Sequence, residues 1–137
     1  MQKIHPTCAL PLQAAFIQLL EAEWQKAVAE AVVRADVDVI VNFKDPSYSA
    51  EAGGFHPVEV FIQRDGRILY ITDFAYVGRP PYEELVKELD FDFGLGLFGQ
   101  FGHDYPIAEA EELFGIFQAN FCSYFAMGAF TVTVSEN

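Results

Sequence analysis

The stretch "EAGGFHPVEVFIQRDGRILYITDF", Glu51–Phe74, decides how the chain is read. Asp65-Gly66 is a strong hairpin signal, because both central residues of a type I′ turn need positive φ. A two-residue turn at that point pairs Ile62 with Leu69, Val60 with Ile71 and Val58 with Asp73 on one face. On the other face Phe61 meets Tyr70 and Glu59 meets Thr72. Side chains alternate along a strand, so Glu59 and Asp73 point to opposite faces. The first face is apolar except near Asp73, and the second carries an aromatic pair. Each is expected to be at least partly covered, by helices or by another subunit.

Upstream of the hairpin, Leu12, Phe16, Leu19, Leu20, Trp24, Val28, Ala31 and Val32 recur at steps of three and four. That spacing predicts one amphipathic helix from about Pro11 to Arg34. "DVDVIVNF" then alternates, with Val37, Val39, Val41 and Phe43 on one side, as a half-buried strand does. "KDPSYSAEAGG" has the composition of a loop. Downstream, "RPPYEELVKEL" predicts a short helix, "DFDF" a short strand, and Gly94 to Gly102 a tightly turned or mobile loop. Ile107 to Met127 predicts a second long helix, and "AFTVTVS" a closing strand. The expected fold class is α+β in one domain over residues 1–137. Its mainly antiparallel sheet is packed by long N-terminal and C-terminal helices.

Charge narrows the partners. The chain of 137 residues carries a formal −12. Residues 1–87 hold 12 acids and all 8 Lys and Arg, whereas residues 88–137 hold 8 acids and no Lys or Arg. Such a surface repels nucleic acid and anionic membranes and attracts cationic partners. Direct nucleic-acid binding and membrane binding are therefore not expected. Leu113 to Ser135 carries no charge over 23 positions, but its period changes from helical to alternating near Gly128. A buried helix followed by a strand explains it better than a membrane span. The amino terminus reads as an amphipathic helix rather than a secretory leader. Cys8 and Cys122 stand alone, without a metal-binding spacing, and suit a reducing compartment. The cytoplasm is the expected location, with export left open.

Three groups of residues invite chemistry. "GLGLFG", residues 94–99, matches GxGxxG in letters, but no βαβ alternation surrounds it, and it reads as a loop. His56 and Asp73 share a rim of the hairpin and are suited to an acid–base pair. The plainer reading is preferred: a histidine leading into a strand, with Asp73 as a polar stop. No catalytic residue, metal ligand or cofactor is assigned. The third group is the acidic set around the Gly-rich stretch: Asp90, Asp92, Asp104, Glu109, Glu111 and Glu112, with His103 beside them. It matches no calcium-binding loop. It is the expected protein-binding face, because no later Lys or Arg offsets its charge.

The segments "YSAEAGGFHPVEVFI", "YITDFAYVG" and "PPYEELVKELDFDF" resemble the bacterial family called domain of unknown function 2787. "ELFGIFQANFCSYFAMG" resembles it more loosely. The resemblance implies a gene of mobile or pathogenicity islands, with no activity and no catalytic residues to carry over. It also implies the fold of the mitochondrial acidic matrix protein, which binds the globular heads of complement component one-q. That fold is an antiparallel sheet packed by terminal helices and assembled as an acidic trimer. The expected function is a non-enzymatic, acidic protein-binding module with a basic or host partner, as a homo-oligomer by the same resemblance. The alternatives are a nucleic-acid mimic acting against host defence, and a small enzyme using His56 and Asp73.

Overall fold

The computed structural model describes residues 1–5 and 8–137. In chain order it contains α1 (Ala14–Ala29), β1 (Val39–Lys44), β2 (Val58–Ile62), β3 (Ile68–Val77) and β4 (Glu84–Asp92). These are followed by β5 (Leu97–Gln100), β6 (His103–Pro106), a 3-10 turn (Ile107–Ala110), α2 (Glu111–Ala126) and β7 (Thr131–Glu136). The strands form one seven-stranded sheet in the order β6-β5-β4-β3-β2-β1-β7, and every pairing is antiparallel. The fold is α+β, with a helix near each end of the chain, as the sequence predicts.

The hairpin holds the expected pairs Val60–Ile71, Val58–Asp73, Phe61–Tyr70 and Glu59–Thr72. Its turn differs. Gly66 N–H donates to Gln63 O at 2.8 Å and Gln63 N–H to Arg67 O at 2.8 Å, so three residues make the loop. Gly66 sits at φ +90 as the left-handed residue of that loop. A Cβ there would lie 2.0 Å from Lys3 O, so the amino-terminal segment also requires glycine. Ile62 consequently pairs with Ile68, and a bulge between Phe61 and Ile62 returns the ladder to the expected register.

Two segments depart from the sequence reading. "RPPYEELVKEL" is not a short helix, because most of it belongs to β4, which pairs with β3 along its length and with β5 near its end. Good helix formers were overridden by β3, which pairs with this backbone from Glu84 onward, and by β5, which pairs with it from Leu89. The Gly-rich span is not one loop either: β5 lies inside it, and glycine turns lead into and out of that strand. The first helix is also shorter than Pro11 to Arg34. Ala31 adopts φ 58 just beyond its end, and Val32 is 59% exposed.

The core lies between the two helices and one face of the sheet. Helix α1 buries Phe16, Leu20, Trp24 and Ala27, one stripe at helical spacing. Helix α2 buries Phe114, Gln118 and Phe121. Sheet residues Val39, Val41, Phe43, Val60, Ile62, Ile71, Phe91 and Phe98 meet them. Aromatic edges knit the layers, with Phe43 to Phe121 at 4.8 Å and Phe91 to Phe114 at 4.8 Å between ring centres. The uncharged span from Leu113 to Ser135 is α2 followed by β7. Among the described residues no helix is long and apolar enough to cross a membrane.

One buried polar side chain joins the helices. Gln118 is wholly buried, and its Oε1 accepts the Gln13 N–H at 2.8 Å, at the N-cap of α1. Its Nε2 donates to Pro11 O at 3.1 Å and to Phe114 O at 3.3 Å. Gln13 reciprocates through Nε2 to Gly115 O at 2.8 Å. Removing the amide leaves backbone groups unpaired in a dry interior. Gln118→Leu is therefore expected to destabilise the fold by about 2–4 kcal/mol. The shift in urea midpoint measures this, and Gln118→Glu at low pH should recover part of the loss.

Candidate functional site

Asp73 lies on the covered face of β3, opposite Val58 of β2 and Leu89 of β4. Next to it the ladder shifts: Asp73 pairs with Leu89, but Phe74 pairs with Lys87. Glu88 is thus the extra residue of a bulge. A bulge re-aims a side chain that strict alternation would send elsewhere, and here the Glu88 carboxylate comes to the side of Asp73. His56 arrives from the loop before β2. Its Nδ1 lies 3.4 Å from Asp73 Oδ2 and 3.5 Å from Glu88 Oε1.

The surrounding contacts fix Asp73 and His56. Asp73 Oδ1 accepts the Leu89 N–H at 2.8 Å, which leaves Oδ2 turned to the histidine. The His56 ring lies 5.3 Å from the Tyr48 ring, and Tyr48 in turn lies 5.1 Å from Tyr76. The loop itself is organised by Asp45, whose carboxylate accepts the Ser47 N–H at 2.9 Å and the Phe55 N–H at 3.0 Å. The Ser47 hydroxyl, which donates to Asp45 Oδ1 at 2.6 Å, and these two amide bonds hold the Asp45 carboxyl below its ordinary pKa. Gly54 makes the arrangement feasible: it sits at φ +131, and a Cβ would lie 2.8 Å from Asp45 Oδ2.

The trio opens on a cavity of about 410 Å³ beside α2. Leu113, Phe117, Phe121 and Tyr124 of the helix form one wall, and Phe55 and Phe130 close one end. The site therefore joins an apolar hollow to a polar rim, the usual make-up of a small-molecule pocket. Burial is the first cause that pushes the Asp73 carboxyl up, to about 7, and the Glu88 carboxylate adds to it. His56 and the Leu89 amide act in the opposite direction.

The sequence expectations sort unevenly onto this geometry. His56 and Asp73 are neighbours, and Glu59 is on the other face, where it accepts a short hydrogen bond from the Tyr70 hydroxyl. Glu88 is the partner that sequence reasoning missed, because it was placed on a short helix. The only hint was its position just before the alternation Leu89-Asp90-Phe91, which reads as a strand. The acidic set divides. Asp90, Asp92 and Asp104 share the uncovered face of the sheet, where Asp90 and Asp104 flank Gly99. Asp90 accepts the Thr72 hydroxyl at 2.6 Å, and Lys87 Nζ lies 3.9 Å from it. Asp92 accepts the Leu95 N–H at 2.9 Å and so also shapes a turn. Glu109, Glu111 and Glu112 lie at the start of the helical layer, where carboxylates favour the dipole.

The raised Asp73 pKa carries a stability consequence. Between about pH 4 and pH 7 an unfolded Asp is ionised while the folded one keeps its proton. The folded state then binds more protons, so stability falls as pH rises through that window and stays lower above it. Asp73→Asn is expected to remove the fall and to be more stable than wild type at pH 8. Urea midpoints at pH 5 and pH 8, in chelator, check this; equal pH dependence in both proteins would refute it.

Comparison with known proteins agrees with this fold. Residues 14–135 match the family described as "Protein of unknown function (DUF2787)". Among curated proteins none matches. The solved hypothetical protein VC0508 from the Vibrio cholerae VSP-II pathogenicity island is 32% identical, with a TM-score of 0.77 over 94% of this chain and 97% of that one. The conserved hypothetical protein VC1805, from pathogenicity island VPI-2 of Vibrio cholerae O1 biovar eltor, is 39% identical. Its TM-score is 0.79 over 94% of this chain and 98% of that one. VC1805 is described as sharing structural homology with the human P32 protein. The chain belongs to the DUF2787 family, whose function is unknown.

Proposed function

We propose that the protein is a non-enzymatic, acidic binding module that engages a basic protein surface through the uncovered face of β4, β5 and β6. The observation that carries this reading is the alignment of Asp90 and Asp104 across Gly99 on a face that no helix covers. With no side chain between them, the two carboxylates present a continuous negative strip. Asp92 extends it along β4. The strip has apolar borders. Tyr76 and Leu85, paired on the same face, are 38% and 44% exposed, and Leu95 in the adjoining turn is 73% exposed. Acidic strips with aromatic and aliphatic margins suit a partner that brings Arg or Lys, whose stems cover the apolar rim while their heads meet the carboxylates.

Charge complementarity commits the occupant. A second copy docked by this face would set carboxylates against carboxylates, which costs free energy. Lys87 is the lone basic neighbour among the described residues at ion-pair distance from the strip, and it is 64% exposed. That geometry neutralises little of the charge.

An Arg-rich peptide is the direct probe. Titrated into isotope-labelled protein, it is expected to move the backbone signals of β4–β6, with affinity that weakens as salt rises. The triple variant Asp90→Asn, Asp92→Asn, Asp104→Asn is expected to bind about tenfold more weakly or worse. Shifts confined to α2, or affinity indifferent to salt and to the triple variant, would overturn the reading. If a basic protein captured from cells is released by DNA, the partner is a nucleic-acid-binding protein and the face acts as a mimic.

A further inference from the structure

The Asp73 and Glu88 carboxyls hydrogen-bond each other, whereas His56 stands off from both at distances that suit a shared ion. A charge-assisted N–H···O bond closes to about 2.7–2.9 Å. His56 Nδ1 stands 3.4 Å from Asp73 Oδ2 and 3.5 Å from Glu88 Oε1, and all three ligand atoms lie within 4.8 Å of one another. In a tetrahedral site with metal–ligand bonds of about 2.1 Å, neighbouring ligand atoms are roughly 3.4 Å apart. The observed N–O separations are thus those of two ligands on one ion, and they are long for a direct bond.

We propose that His56, Asp73 and Glu88 form a binding site for a first-row divalent metal ion, with its remaining coordination position facing the apolar cavity beside α2. One imidazole with two carboxylates suits Zn²⁺, Mn²⁺, Fe²⁺ or Co²⁺, whereas Ca²⁺ and Mg²⁺ prefer oxygen ligands alone. The ligands are held before any ion arrives. Asp73 is fixed by the Leu89 amide through Oδ1, leaving Oδ2 to bind. The β4 bulge sets the direction of Glu88, and His56 is held by the Tyr48 ring and the Asp45-organised loop. Such outer contacts are what orient ligands in metal sites.

Electrostatics points the same way. The Asp73 side chain is 8% exposed and that of Glu88 24%, so two carboxylates face each other partly out of water. Among the described residues the basic group at ion-pair distance from either is His56 alone. A divalent cation supplies the missing charge for both. Three protein ligands leave an open position. The same residues line the mouth of the 410 Å³ cavity, whose walls are mainly aliphatic and aromatic. A small apolar molecule with an oxygen donor at one end could complete the coordination there. The sequence hides this site because its ligands come from positions 56, 73 and 88, far apart in the chain and joined only by strand pairing.

The test uses the intact chain stripped with chelator and titrated calorimetrically with Zn²⁺, with Co²⁺ as the spectroscopic probe. The expected result is one ion per chain and a visible Co²⁺ band of the intensity typical of low coordination number. His56→Ala and Glu88→Gln, each verified as folded by circular dichroism, are expected to weaken binding at least about tenfold and to abolish that band. His103→Ala, on the exposed strand β6, and the triple Asp90, Asp92, Asp104 variant are expected to bind as wild type. No saturable binding of Zn²⁺ or Co²⁺ would overturn the proposal. So would equal binding by His56→Ala and Glu88→Gln, or loss of binding in the His103 or triple variant instead. Because the triple variant tests the open face separately, failure of the metal site leaves the protein-binding reading standing, and the reverse also holds.

Discussion

Two helices cannot cover a seven-stranded sheet, and much of the architecture follows from that shortfall. Strands spaced at about 4.8 Å make a sheet roughly 29 Å across, whereas two helices of about 10 Å diameter lie over only some 20 Å of it. The helices take the apolar centre, where Phe43, Phe91 and Ile71 are wholly buried. Gln118 locks them side by side, so neither can shift to cover more. What is left bare on the helical side becomes the hollow next to α2, and the opposite side carries no helix among the described residues, although Phe61 and Thr72 on it are buried. The hollow has α2 as one wall, and the open face has no helix over it among the described residues.

The hollow contains an unfavourably placed acid. A carboxyl at Asp73 is buried by the sheet, and the bulge at Glu88 brings a second carboxylate against it rather than a base. A well-packed apolar residue would be better tolerated in a core, and a paired Arg would relieve the charge. Neither is present. Local disfavour of this sort concentrates where a protein binds or reacts. The supporting contacts from Leu89, Tyr48 and Asp45 show that the geometry is built rather than left loose.

How much of this could be read from the sequence depended on the length scale of each signal. The hairpin register was legible because period-two alternation and the Asp-Gly turn agree, and the separation of Glu59 from Asp73 came with it. The turn length was not, since a three-residue loop and a compensating bulge give the same pairs further along. Glu88 was illegible because "EELVKEL" has helix-forming residues and only β3 and β5 make it a strand. The acidic set was legible as charge but not as geometry: strand β5, hidden among glycines, is what aligns Asp90 with Asp104 and leaves Glu109, Glu111 and Glu112 in another layer. Gln118 gave no signal at all, because its partners, Gln13 and Pro11, are more than 100 positions away.

The two margins of the sheet differ in kind. Strand β6 is four residues long, exposed at each position, and carries His103, Asp104 and a terminal proline, all of which discourage another chain from adding to it. Strand β7 is six residues long, its "TVTV" is β-branched, and it carries no charge until Glu136. There the guard is Arg34, whose backbone N–H and guanidinium grip Glu136 from the loop after α1 at 2.7–3.2 Å. That clasp tethers only the strand's last turn of backbone, so fibre growth or strand exchange between molecules would begin at the carboxyl-terminal margin, with its Thr and Val ladder as the template.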